Sequence, residues 1–237
     1  MTTSFSLILP CFNEGPTFEK SVNKILSELR KNKGSWELIF VEDKSIDNTK
    51  AVIEKFVKAN KNLRVIFHQK NMGRGKSVSD GIIESRFSIC GFMDVDCEVS
   101  PSYIPLFVDE IKKGSDLVIG TRYYEKGFAS FSRVAASKVY AFIVKMILDI
   151  GVSDTEAGYK FFNKKNILTV LKSVKDPGWF WDTEICARSS WGGLRLSEVP
   201  VLFVRRHEKK STVNLLSDSI DYFFKLVRFR SQRPVSN

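Results

Sequence analysis

From Phe5 to Gly120, short apolar runs alternate with longer stretches in which apolar residues recur every three or four positions. A short run bounded by polar punctuation suits a buried strand, and the three-four spacing marks one face of a helix. The pattern predicts strands at Phe5 to Leu9, Trp36 to Val41, Leu63 to Phe67, Ser88 to Gly91 and Asp116 to Gly120. The first two helices between them turn Phe18, Val22, Ile25, Leu26 and Leu29, then Val52, Ile53, Phe56 and Val57, toward a core. The next two turn inward Val78, Ile82 and Ile83, then Ile104, Phe107, Val108 and Ile111. Gly34 ends the first helix, Ser45 or Asp47 caps the second, and Pro101 opens the fourth.

The pattern is less regular afterwards. Glu125 to Ser130 reads as a loop, and Phe131 to Leu148 as a helix that is apolar around much of its circumference. Ser153 to Phe162 reads as a turn and a strand, and Lys164 to Val174 as a helix. A loop with Trp179 and Trp181 leads into a helix at Thr183 to Trp191. A strand broken at Pro200 follows, and then an amphipathic helix, Val213 to Phe229, with Val213, Leu216, Ile220, Phe223 and Val227 on one face. Strand-helix alternation implies an α/β class, with a mostly parallel central sheet and helices on both faces. Such sheets bind ligands beyond the carboxyl ends of their strands. One rim would then hold Glu14, Glu42, Asp43, the Gly73 to Lys76 loop and the stretch Asp94 to Glu98.

Charge sharpens this picture. The 237 residues include 37 Lys and Arg against 27 Asp and Glu, a net charge of +10. That excess favours anionic partners: nucleotide phosphates, a lipid phosphate, an acidic membrane surface or nucleic acid. The four cysteines are scattered without a Cys-x-x-Cys pair, which reads as free thiols in a reducing compartment. The N-terminus runs straight into a strand, so no signal peptide is expected. The longest apolar run, Val139 to Val144, is far short of the ~18 residues that span a bilayer.

Candidate chemistry centres on Asp94, Asp96 and Glu98, spaced by two where the fourth apolar run stops. In extended geometry alternate side chains point the same way. These carboxylates would converge, and a hard divalent cation such as Mg²⁺ or Mn²⁺ is the economical partner. Glu42 would be placed to accept from the N–H edge of a base, and Arg74 and Lys76 to lie near phosphates, although the loop lacks a Walker A signature. Together these features suit a nucleoside diphosphate donor.

Several motifs in order carry a resemblance. They are Leu9-Pro10-Cys11-Phe12-Asn13-Glu14, Val41-Glu42-Asp43-Lys44-Ser45, Asn71-Met72-Gly73-Arg74-Gly75-Lys76 and Asp94-Val95-Asp96. Further on come Val118 to Tyr123, Ser153 to Phe161 and Glu198-Val199-Pro200-Val201. From about Ser4 to Val213 the chain resembles the inverting family-2 glycosyltransferases with the GT-A nucleotide-sugar-binding fold. Within them it is similar to the polyprenyl-phosphate (dolichyl-phosphate) hexosyltransferases. The resemblance implies a catalytic domain at 1–212 followed by an amphipathic helix and tail at 213–237.

It also implies roles. Pro10, Phe12, Glu14, Val41, Glu42, Gly73, Lys76, Asp94, Val95, Asp96 and Arg122 would contact the nucleotide-sugar. Asp94, Asp96 and Glu98 would hold Mg²⁺ or Mn²⁺. Arg133, Ser137, Arg206 and Ser211 would contact the acceptor phosphate, with Thr212 at a family lysine position that Lys209 or Lys210 can fill. Asp96, Arg122, Arg133 and Arg206 would be the catalytic residues. The family has Asp where this chain has Glu42 and often Gln where it has Glu98. The implied reaction moves a hexose, with mannose from GDP-mannose preferred and glucose from UDP-glucose second, to polyprenyl (dolichyl) phosphate with inversion. An acceptor phosphate is already anionic and needs no dedicated base, whereas a hydroxyl acceptor would. Transfer to a hydroxyl acceptor is the enzymatic alternative, and a basic nucleic-acid or membrane-binding module the non-enzymatic one. The expected setting is peripheral, on the cytoplasmic face of a membrane, with room for a membrane-anchoring partner subunit and no nucleic-acid partner.

Overall fold

The computed structural model describes residues 3–124, 141–205 and 215–233, with the backbone alone at 215–221 and 223. Arg133, Ser137, Arg206 and Ser211, and with them the expected acceptor-phosphate group, lie outside the described residues, as do Glu125 to Ser130.

The expected alternation is observed as β1 (Phe5–Cys11), α1 (Phe18–Leu29), β2 (Trp36–Glu42), α2 (Thr49–Ala59), β3 (Leu63–Phe67), α3 (Arg74–Glu84) and β4 (Ile89–Met93). A short 3₁₀ turn leads to α4 (Ile104–Lys112) and β5 (Leu117–Tyr124). The second half holds α5 (described at 141–148), β6 (Tyr159–Asn163), α6 (Lys164–Leu171), α7 (Trp181–Trp191), β7 (Leu196–Phe203) and α8 (Leu215–Arg230).

The seven strands form one sheet in the order β3-β2-β1-β4-β6-β5-β7. All pairs are parallel except those of β6, which is antiparallel to both β4 and β5. Inserting β6 brings the segment before it, residues 153–158, to the same rim as the loop after β4. The order of strand addition reverses at β1, with β2 and β3 on one side and β4 on the other, the switch point where such sheets open a ligand crevice.

Alternate strand residues feed two cores. Leu7, Leu9, Leu38 and Phe40 pack with α1 and α4 on one face, while Ile8, Ile39, Val41 and Phe92 pack with α3, α6 and α7 on the other. The inward faces expected for α1 and α4 are all buried, but Ile83, expected inward on α3, is half exposed. Strand β7 is continuous through Pro200, contrary to the expected break. It is an edge strand, so proline's missing N–H leaves no ladder bond unmade. Helix α8 rests on α7 through Leu226 and Phe229, with Phe229 stacked on Trp191 and edge-on to Phe180. Val227, expected on its buried face, is exposed.

Candidate active site

Beyond β1 and β2 the two connecting loops are laced together. The Asn13 N–H donates to Ser45 Oγ (3.1 Å), and the Ile46 N–H returns a bond to Asn13 Oδ1 (2.9 Å). Asp47 accepts from the Gly15 N–H (3.1 Å) and from the Thr49 N–H (2.9 Å), so it ties the turn before α2 to the first loop, while the N-cap position itself is Asn48. Phe12 stands exposed at this edge, and Glu14 accepts from the Phe12 N–H (3.1 Å). Glu42 is buried and accepts from the Ser45 N–H at 2.5 Å.

Its neighbour Asp43 is more heavily used. The buried Asp43 carboxylate takes the Met72 N–H (2.7 Å), the Gly73 N–H (2.8 Å) and His68 Nδ1 (2.7 Å). His68 Nε2 lies 3.1 Å from Asp80, which also pairs with Lys76. Gly73 needs its left-handed φ of 93° to turn into α3, and a side chain there would strike the Pro177 carbonyl. The Lys76 N–H donates to Pro177 O (3.0 Å). The Gly73 and Lys76 N–H groups thus have internal acceptors, and Lys76 pairs with Asp80.

The acidic stretch also departs from expectation. β4 ends at Met93, and residues 94–97 form a turn with Cys97 at φ 53°. Alternation therefore stops before the first acid. Glu98 is drawn toward β7, its carbonyl accepting the Val204 N–H at 2.8 Å. Among the described residues no three His, Cys, Asp or Glu side chains gather as a metal-holding group, so the expected convergence of Asp94, Asp96 and Glu98 is not present. Asp94 and Asp96 remain on the turn, with Asp96 Oδ1 accepting the Glu98 N–H (3.1 Å). One or two carboxylates plus substrate phosphates are a common set for Mg²⁺, so this smaller donor set fits the expected ion. Gly158 backs it: a side chain there would occupy the place of Asp94 Oδ2.

Beneath the turn runs a web of buried charge. Arg74 Nε and Nη2 donate to Asp94 Oδ1 (3.0 and 2.7 Å), and its Nη1 donates to the buried Asp182. Asp182 also takes a bond from Lys160 Nζ (2.5 Å), which donates again to Ala157 O (2.6 Å). The Arg74 guanidinium lies over Phe92 and the exposed Trp179, at 5.2 and 4.9 Å from the ring centroids. Burial opposes its charge, but Asp182 and Asp94 outweigh burial and hold its pKa above the ordinary value. Arg74, expected near phosphates, is committed to this web.

The loop between α5 and β6 brings a second group. Arg122, at the end of β5, is clamped bidentately by Asp154, with Nε to Oδ2 at 2.7 Å and Nη2 to Oδ1 at 2.8 Å. Burial again opposes the Arg122 charge, and Asp154 more than restores it. Glu156 lies 4.0 Å from Arg122 Nη2. Burial, reinforced by Asp154 and Asp182, pushes its carboxyl up to about 7 against the pull of Arg122 and Lys160. Beside this group a cleft of about 310 Å³ is lined by Arg122, Tyr124, Phe142, Lys145 and Asp154.

The structure therefore brings Phe12, Glu14, Asp94, Asp96 and Arg122 to one rim. The side chains of Pro10, Val41 and Val95 are buried in the protein, which leaves their backbone for any contact there. Sequence reasoning gave no role to Asp43, Asp154, Glu156, Lys160 or Asp182. One signal was available: Lys160 stands alone in the apolar run Tyr159-Lys160-Phe161-Phe162, and a buried cation requires a partner.

Residues 6–171 match the model of the family described as Glycosyl transferase family 2. Glycosyltransferase AglD of Haloferax volcanii is 25% identical over 228 residues, covering 94% of this chain and 36% of that protein. A dolichyl-phosphate beta-glucosyltransferase of Trichomonas vaginalis is 27% identical over 207 residues (83% of this chain, 64% of that protein). The dolichyl-phosphate beta-glucosyltransferase of Saccharomyces cerevisiae is 28% identical over 248 residues (95% and 73%). The chain thus spans about a third of the first protein and just under two thirds of the second. In fold it is similar to glucosyl-3-phosphoglycerate synthase from Mycobacterium tuberculosis, solved with Mn²⁺, UDP-glucose and phosphoglyceric acid. That likeness has a TM-score of 0.72 at 19% identity, covering 98% of this chain and 81% of the other. The sheet has the GT-A-like fold of that structure, and the chain belongs to glycosyl transferase family 2.

Proposed function

We propose that this chain transfers glucose from UDP-glucose to dolichyl or another polyprenyl phosphate, with inversion at the anomeric carbon. The observation that carries this reading is the placing of two unlike groups on one rim: the Asp94–Asp96 turn after β4 and the clamped Arg122 of β5 beside its cleft. The sugar shifts from the mannose favoured by sequence to glucose because the relatives of 27% and 28% identity are named dolichyl-phosphate beta-glucosyltransferases.

In this reading Phe12 and Glu14 flank the nucleotide, and Asp94 and Asp96 hold a divalent cation. When bound, Mg²⁺ or Mn²⁺ neutralises the departing diphosphate. Arg74 keeps Asp94 oriented from behind. Arg122 and Lys145 attract the incoming phosphate, while Phe142 and Tyr124 offer apolar surface to the first isoprene units. Arg133, Ser137, Arg206 and Ser211 keep their proposed phosphate contacts. Rate enhancement comes from positioning and charge, because a phosphate nucleophile needs no base. No helix among the described residues is long and apolar enough to cross a membrane. A membrane surface remains the proposed setting because the acceptor is a lipid.

The test is incubation of the purified chain with dolichyl phosphate, Mn²⁺ and either labelled UDP-glucose or labelled GDP-mannose. Label from UDP-glucose should enter an acid-labile lipid fraction. Label entering only from GDP-mannose would restore the mannose reading, and none from either would overturn the acceptor assignment.

A further inference from the structure

The carboxylates around the β4–β6 rim are mostly committed. Asp154 is clamped to Arg122, Asp94 to Arg74, and Asp182 to both Arg74 and Lys160. Glu156 is different. Its one ion-pair contact among the described residues is Arg122 Nη2 at 4.0 Å, beyond hydrogen-bond distance. Its side chain is recessed, yet 35% of it remains open. Its open face leaves the carboxyl to water in the free protein, and a ligand hydroxyl can take the place of that water.

Position narrows the ligand. Glu156 precedes Gly158 by two residues, and Gly158 is where the Asp94 carboxylate rests against the backbone. On its other side stands Arg122. A donor whose diphosphate meets Asp94 and Asp96, and whose acceptor meets Arg122, carries its sugar between them. Chemistry narrows it further. Arg122, Asp154, Lys160 and Asp182 all face Glu156 electrostatically, and its carboxyl titrates at about 7. It would repel a phosphate when ionised, but a neutral hydroxyl can accept from its acid form or donate to its carboxylate.

We infer that Glu156 hydrogen-bonds a hydroxyl of the transferred hexose and is a specificity-determining residue of the donor site. This rests on the donor reading above and adds a contact to the sugar itself, distinct from the contacts to nucleotide, cation and acceptor.

The test is calorimetric titration of wild type, Glu156→Ala and Glu156→Gln with UDP and with UDP-glucose in Mn²⁺, with GDP and GDP-mannose alongside. The quantity read is how much tighter the nucleotide-sugar binds than the bare nucleotide. Affinity for the bare nucleotide should stay within about twofold in all three proteins. The preference for the nucleotide-sugar should fall about tenfold or more in Glu156→Ala, the worth of a hydrogen bond to a charged group. Glu156→Gln, which keeps shape and hydrogen-bonding capacity, should retain part of it and controls for folding. An unchanged preference in Glu156→Ala overturns the inference and leaves the donor reading standing. Failure of wild type to bind any of the four ligands overturns the donor reading itself.

Discussion

Two neighbourhoods on the same rim treat a recessed carboxylate in opposite ways. At the β2–α3 corner, Asp43 is saturated: two backbone N–H groups and an imidazole converge on it, and the glycine loop is fixed as a result. At the β5–β6 corner, Glu156 sits among charged groups and bonds to none of them. The first corner consumes its hydrogen-bonding capacity in holding shape, and the second keeps capacity for a ligand. Between them the Arg74–Asp182–Lys160 web joins β4, α3, α7 and β6 beneath the acidic turn. Burial alone therefore does not mark a functional carboxylate here. What distinguishes the two is whether the fold has already supplied donors.

The hardest blow to this contrast falls on the web. Asp182→Ala leaves Lys160 and Arg74 buried with half their partners, and breaking a buried pair costs about 3–5 kcal/mol. Urea unfolding should show that loss as a lower midpoint with an unchanged slope. The double change Lys160→Met with Asp182→Leu should recover much of it, because it removes both charges from the interior. If the two single losses simply add, Lys160 and Asp182 are not one unit, and the web is a set of independent contacts.

Asp43→Ala comes next. It strips the Met72 and Gly73 N–H groups of their acceptor and leaves His68 with Asp80 alone. Each orphaned buried donor costs about 1–3 kcal/mol, less whatever water recovers. Amide hydrogen exchange at Met72 and Gly73 should accelerate more than exchange in β1. Equal acceleration everywhere would mean that Asp43 stabilises the whole fold and fixes no loop.

These residues also show what the sequence could reveal. The alternation from β1 to β5 was legible because each strand is a short apolar run and each helix shows its inward stripe. Strand β6 was legible as a strand but not as an antiparallel insertion, because nothing local tells Tyr159–Asn163 to lie between β4 and β5. The rim residues Asp94, Asp96 and Arg122 were found from motif order. Their convergence with Glu98 was misjudged because a turn at Asp94 cancels the period-two argument. Glu42 and Asp43 are adjacent on the expected rim, and only the fold shows which one collects the loop's N–H groups. The web stayed hidden because Lys160, conspicuous in its apolar run, finds its partner Asp182 only 22 positions further on.

The smallest expected effect gives the finest test of the contrast, since it asks whether Glu156 is uncommitted in the free protein. Its carboxyl ordinarily titrates near 4.5, and in the fold burial pushes it up to about 7. Between those values the folded chain keeps a proton that the unfolded chain has released. By linkage, stability is highest below about pH 4.5, falls as pH rises through this window and levels off above it. Glu156→Gln cannot ionise, so its melting curve should lack this component. Wild type and variant should melt alike near pH 4.5, with the variant more stable at pH 8. The gap will be small, because a third of the side chain is open and water screens it. A variant less stable than wild type at pH 8 would mean that the ionised carboxylate already has a stabilising partner in the fold, and the two corners of the rim would then be alike.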